Sequence, residues 1–158
     1  MGKFTFTPEN EAKYQEILKK YPNSDSMMLP ALWLVQEQES WISPDAMIYV
    51  AEKLGKSAIQ VYEVATFYTM FNLKPIGTYH IEICKTLSCM IMGANELKKF
   101  IKATIGIEPG QTSSDGKFHL SEVECMGACG GAPMFALNGV YHEKQSVDLL
   151  KKTLEECQ

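Results

Sequence analysis

Two cysteine pairs constrain this chain more than anything else in it. Four residues separate Cys84 from Cys89, and three separate Cys125 from Cys129 within the stretch Glu124-Cys125-Met126-Gly127-Ala128-Cys129-Gly130-Gly131-Ala132-Pro133. Each pair can close a short chelate loop, so the fold must bring together two loops that lie far apart in sequence. Two such pairs suit either one zinc ion held by all four thiolates or a two-iron cluster with one pair on each iron. The glycines favour the cluster, because backbone N–H groups in a Gly/Ala loop can approach sulfur with no side chain intervening. Structural zinc sites usually use C-x2-C, and thiol–disulfide catalysis prefers C-x-x-C, which is missing here. Zinc and buried or redox-active thiols stand as the alternatives to a [2Fe–2S] cluster.

The periodicity of the chain changes once, near Lys74. Before it, the punctuation is helical. Thr7-Pro8-Glu9 reads as an N-cap, a first-turn proline and a first-turn acid, followed by Tyr14, Ile17, Leu18 and Tyr21 on one face up to Pro22. A second apolar segment runs from Leu29 through Trp33 to about Gln38. Ser43-Pro44 opens a third helix that Gly55 stops, and Ser57 opens a fourth, to about Tyr68. Residues 1–73 are therefore expected to form a small helical bundle. From 74 to 158 the pattern is mixed. Tyr79, Ile81 and Ile83 alternate toward Cys84 as a strand, and Met90 to Ile105 reads as one helix. A polar loop from Pro109 to Ser114 leads to a strand at Lys117–Leu120. Asn138-Gly139 marks a two-residue hairpin, and Ser146 caps a last helix. The fold class is α+β.

Composition narrows the function. The 15 basic residues are all lysine, so no planar guanidinium fork is available to grip a nucleotide, and the net charge of −4 argues against a nucleic-acid partner. No G-x-G-x-x-G or P-loop is present, so NADH and flavin are not expected on this chain. With no secretory apolar run and no membrane-spanning stretch, a cytoplasmic location without membrane insertion is expected. Five cysteines there suit ligands or core positions better than disulfides, and Cys157, without a sequence partner, reads as a spare thiol.

Four blocks in order carry a resemblance to a known family: Ala31-Leu32-Trp33-Leu34-Val35-Gln36, Val61-Tyr62-Glu63-Val64-Ala65-Thr66-Phe67-Tyr68, the Cys84 to Cys89 segment with Gly93-Ala94, and Glu124 through Pro133. Together they resemble the small peripheral-arm iron–sulfur subunit of respiratory complex I, the NADH:quinone oxidoreductase, over nearly the whole chain. The resemblance implies a helical bundle followed by a thioredoxin-like [2Fe–2S] ferredoxin domain. It places one cluster on Cys84, Cys89, Cys125 and Cys129, and single-electron exchange with a partner subunit that carries FMN and NADH. It also implies a place in the peripheral arm of a membrane-bound complex, with no catalysis by this chain alone. The same module occurs in NAD-dependent hydrogenases and formate dehydrogenases, which are the alternative hosts; a zinc-stabilised interaction module is the alternative of another class.

Other residues have plainer readings. His80, His119 and His142 are formal candidates for a Rieske-type centre, but with four suitable cysteines they read as strand-surface residues. Glu82, Glu122 and Glu124 read as a solvated strand face, and no catalytic residue is expected. Ser88 is placed either to bond cluster sulfur or to cap a helix. Trp33, Trp41, Phe67, Tyr68, Met70 and Phe71 read as bundle core, with any exposed members forming a docking face for the flavoprotein. The peptide N–H groups of Met126, Gly127, Ala128, Gly130 and Gly131 are expected to point at sulfur. Alanine at Gly130 or Gly131 is then expected to clash or to tilt a donor away.

Overall fold

Thr7 begins the first helix as its sequence predicts: its hydroxyl accepts the Asn10 N–H at 3.2 Å, and Pro8 occupies the first helical position, where no N–H is needed. The computed structural model describes residues 3–157 and divides into two units, Met1–Pro75 and Ile76–Gln158. In the first unit α1 (Pro8–Leu18), α2 (Met28–Glu39), α3 (Pro44–Leu54) and α4 (Ala58–Phe67) form the bundle. Ser43 caps α3 through the Ala46 N–H at 3.1 Å, Gly55 ends it in the left-handed region at φ 64°, and Ser57 with Gln60 makes a capping box at α4. Met27, Leu32, Val35, Ile42, Val50 and Val61 lie in the core, and the buried polar side chain of Asn10 donates to the Leu34 carbonyl at 3.1 Å.

The aromatic set divides. Phe71 is buried, but Trp33, Phe67, Tyr68 and Met70 are exposed, and Phe67 keeps 77% of its surface accessible. Tyr21 is exposed too, because α1 ends at Leu18, short of the residue before Pro22, where helical backbone is disfavoured.

The second unit holds β1 (Tyr79–Cys84), α5 (Leu87–Ile91), α6 (Ala94–Ile105), β2 (Gln111–Thr112), β3 (Phe118–Val123), β4 (Phe135–Leu137), β5 (Val140–His142) and α7 (Val147–Glu156). The sheet order is β2-β3-β1-β4-β5, with β1 and β3 parallel and every other pair antiparallel. A parallel pair needs a crossover, and α6 supplies it. Ile81, Ile83, Phe118 and Leu120 share a core with Leu97, Ile101 and Leu150 of α6 and α7. Asn138 and Gly139 make the hairpin turn at φ 48° and 79°. Where the sequence suggested one helix from Met90 to Ile105, Gly93 breaks it at φ 109°, a conformation that side-chain-bearing residues avoid. Two-residue β2 falls inside the predicted polar loop.

The opposite sheet face is polar and half-buried rather than washed by solvent. His80 and His119 stand in register across β1 and β3, with ring centroids 5.2 Å apart. His80 Nε2 bonds Ser121 Oγ at 2.8 Å, and His119 Nδ1 bonds Thr112 Oγ1 at 2.8 Å. Burial, with His119 alongside, lowers the His80 pKa to about 4. Burial also lowers His119 and raises Glu82 on this face. The unfolded chain takes up a proton on His80 near pH 6.5 and the folded chain only near pH 4, so this contribution is complete above pH 6.5 and lost as pH falls toward 4. Glu82 acts in the opposite sense. His80→Asn should therefore flatten the fall in urea midpoint between pH 7 and pH 5 relative to the parent chain; an equal fall in both would contradict the burial account.

Candidate metal centre

β1 delivers Cys84 to the end of the sheet, and the chain turns at once into the single-turn helix α5, which carries Cys89. Both thiols are buried, at 2% exposure each, whereas Cys125 and Cys129 lie exposed on the loop between β3 and β4. Cys125 Sγ and Cys129 Sγ are 3.4 Å apart, and Cys84 and Cys89 lie near enough to shift one another's acidity. Cys84 lies within electrostatic reach of both Cys125 and Cys129.

Donors surround the sulfurs. Thr86 Oγ1 lies 3.1 Å from Cys84 Sγ and also favours the ionised form of Cys125, as the Ser88 hydroxyl does for Cys129. Among backbone groups, the Gly127 N–H donates to Cys125 at 3.4 Å, while the amides of Met126 and Met134 lie near enough to Cys84 and Cys89 to favour their ionised forms. Gly127 makes this turn at φ 85°. The Gly131 N–H, expected to face sulfur, is instead bonded to the Ala128 carbonyl at 2.9 Å. Ser88 sits inside α5, whose cap position is Thr86, so it does not cap that helix.

These contacts set the acidity of the thiols. Burial pushes Cys84 up, but the Thr86 hydroxyl and amide, Cys89 and the Met126 N–H together bring it below the ordinary value. Burial holds its neighbour Cys89 above that value. The Gly127 N–H, with Cys129, lowers Cys125, and the bond and charge of Cys125 raise Cys129.

The donor set is four thiols with no histidine or carboxylate among them. Structural zinc draws four ligands to about 2.0–2.3 Å from a single centre. Two sulfurs per metal is the arrangement of a dinuclear cluster, which the two pairs fit.

The remaining candidates separate from this site. Cys157 is buried against α7, bonding the Thr153 carbonyl at 3.3 Å, and burial raises its pKa. His142 stacks on Phe135 at 4.8 Å, Glu122 pairs with Lys98, and Glu124 pairs with Lys85 at 3.0 Å. Sequence reasoning missed Thr86, although its place two residues after Cys84 was visible. It also missed the apolar rim of Leu87, Met90, Ile91 and Met92 that α5 exposes around Cys89.

The two glycines after Cys129 differ. A Cβ on Gly131 would meet Glu143 Cβ at 2.7 Å, whereas a Cβ on Gly130 meets nothing within 4 Å. The expected clash at Gly130 is therefore corrected: that position faces open space. Gly131→Ala should cost about 1–3 kcal/mol in the unfolding free energy, as overpacking does, and Gly130→Ala less than about 0.5. Denaturant unfolding of both variants checks this, and equal costs would contradict it.

Comparison with known proteins places these features. The profile of the thioredoxin-like [2Fe-2S] ferredoxin family matches residues 14–158. The chain is 42% identical over 158 residues to the E-type subunit of NADH-quinone oxidoreductase from Rickettsia conorii, covering 98% of this chain and 95% of that one. It is 41% identical over 156 residues to the Rickettsia felis protein of the same name, covering 97% and 93%. A crystal structure of an NAD+-reducing [NiFe]-hydrogenase in the H2-reduced state shares the fold, with a TM-score of 0.75 at 21% identity over 84% of this chain and 22% of that chain.

Proposed function

This chain belongs to the thioredoxin-like [2Fe–2S] ferredoxin family, and we propose that it is the iron–sulfur electron-transfer subunit of an NADH:quinone oxidoreductase. In this reading Cys84, Cys89, Cys125 and Cys129 hold one [2Fe–2S] cluster within a ferredoxin domain at residues 74–158, behind a helical bundle at residues 1–73. The observation that carries it is the family match over residues 14–158, supported by Cys84 lying in electrostatic reach of Cys125 and Cys129 and by the Thr86 and Gly127 donors at their sulfurs. The near full-length identity to the two Rickettsia proteins supports the host complex; the hydrogenase likeness, at 21%, speaks for the fold alone.

A bound [2Fe–2S] group supplies a one-electron couple. The chain's own residues do the rest. Cys84, Cys89, Cys125 and Cys129 would give up their protons as thiolate ligands when the group binds, one pair to each metal. The Gly127 N–H and the Thr86 hydroxyl direct positive ends of dipoles at sulfur, with the amides of Met126 and Met134 and the Ser88 hydroxyl close by, which favours the more negative state. Leu87, Ile91 and Met92 form an uncharged rim against which a partner can pack and exclude water.

The partner is the subunit carrying FMN and NADH, and the assembly is the peripheral arm of a membrane-bound complex on its cytoplasmic side. Among the described residues no helix is long and apolar enough to cross a membrane, consistent with attachment through other subunits. The chain purified alone should oxidise no NADH; co-expressed with its flavoprotein it should form a stable heterodimer that does. NADH oxidation by the isolated chain would contradict this division of labour.

A further inference from the structure

The peptide joining Met126 to Gly127 has partners at both ends. Its N–H, on Gly127, donates to Cys125 Sγ at 3.4 Å, and its carbonyl, on Met126, accepts the Tyr141 hydroxyl at 3.0 Å. A second peptide repeats the pattern. The Gln145 N–H donates to the Pro133 carbonyl at 2.9 Å, and the Met134 N–H of that same peptide faces Cys89. Thus β5 and the turn after it reach both cysteine pairs, each through one intervening peptide. Only the Tyr141 link starts from a side chain and can be removed without touching the backbone.

We propose that Tyr141 is a positioning residue that fixes and polarises the Met126–Gly127 peptide, strengthening its N–H···S bond to Cys125 and raising the reduction potential of the cluster held there. A hydrogen bond accepted by a carbonyl withdraws electron density from the amide and makes its N–H a better donor, as in any hydrogen-bonded chain. Donors to ligand sulfur stabilise the extra electron of the reduced state. The inference rests on the four cysteines being the cluster ligands. Tyr141 is 50% exposed, so water can partly replace its hydroxyl and the effect is modest.

The test is an EPR-monitored redox titration of the anaerobically purified chain and of Tyr141→Phe, with iron content measured on both. Tyr141→Phe should bind its iron in full and lower the ratio of reduced to oxidised cluster about two- to fivefold at fixed ambient potential; fivefold is about 41 mV at 59 mV per tenfold. Val140→Ala, a change at an exposed residue on the same strand, should leave the potential unchanged. 3-Fluorotyrosine at position 141, with the hydroxyl protonated, is a stronger donor and should move the potential upward, an opposite sign that mere loop anchoring would not produce. Resonance Raman in H2O and D2O should show a smaller isotope shift of the Fe–S stretch in Tyr141→Phe. Full iron content with potentials equal to the parent in both the phenylalanine and fluorotyrosine forms overturns the role of Tyr141. A parent chain that holds no iron–sulfur cluster overturns the ligand reading as well, and iron analysis alone separates the two failures.

Discussion

Replacing any one of Cys84, Cys89, Cys125 or Cys129 by serine is expected to abolish or strongly alter the visible absorption of the anaerobically purified protein, while Cys157→Ser leaves it unchanged. A serine oxygen is a harder and more basic donor than sulfur, and losing one of two sulfurs on an iron leaves that metal with a single thiolate. The buried thiols should suffer most. Cys84 and Cys89 are closed in at 2% exposure each, so no substitute ligand can swing in, whereas Cys125 and Cys129 border solvent. Cys157 bonds Thr153 at the end of α7 and is expected to take no part. Equal bleaching by Cys157→Ser, or a full spectrum in Cys84→Ser, would contradict the assignment.

The second large effect concerns the partner. Ile59, Tyr62 and Phe67 are exposed along α4, and Phe67 is the most accessible large apolar side chain of the described residues at 77%. In the second unit Ile91, 71% exposed, stands in the apolar rim beside Cys89. The lysines of α6 are already engaged: Lys98 with Glu122, Lys99 with Glu96 and Lys102 with Glu108. An interface built from what remains rests on packing more than on ion pairs. Phe67→Asp and Ile91→Asp should each weaken the heterodimer by about 2–4 kcal/mol, roughly 30- to 1000-fold in Kd, if they act as interface anchors do. The parent complex should survive a move to about 1 M salt, where the Debye length falls to about 3 Å. Gel filtration of the co-expressed pair reads both results. Dissociation by salt, or an undisturbed complex in both variants, would contradict the packing account.

Much of this was legible in the sequence because the signals are local. Thr7-Pro8, Ser43-Pro44, Gly55 and Asn138-Gly139 each act through one turn of backbone, so the elements they begin or end lie where the residues predict them. The break at Gly93 was hidden because Met90, Ala94, Leu97 and Ile101 keep helical spacing across it; the glycine changes φ without changing the pattern. β2 is two residues long and has no periodicity to display. At the site, the four cysteines were readable from spacing and loop composition. Which N–H groups face them was not, because that depends on backbone angles and on distant anchors such as Tyr141. The same holds for Gly130 and Gly131, alike in sequence but set apart by Glu143, twelve residues beyond Gly131. His80 and His119 were misread as surface residues because strand alternation reports which face a residue is on, not what covers it.

The central claim is that two cysteine pairs hold a two-iron cluster, and metal analysis of the anaerobically purified chain tests it most directly. The account predicts a red-brown protein with about two irons and two acid-labile sulfides per chain, no stoichiometric zinc, and a potential on the order of −400 mV, since no histidine ligand is present to raise it. A colourless protein with one zinc per chain, which a filled d-shell would leave without visible bands, would contradict it.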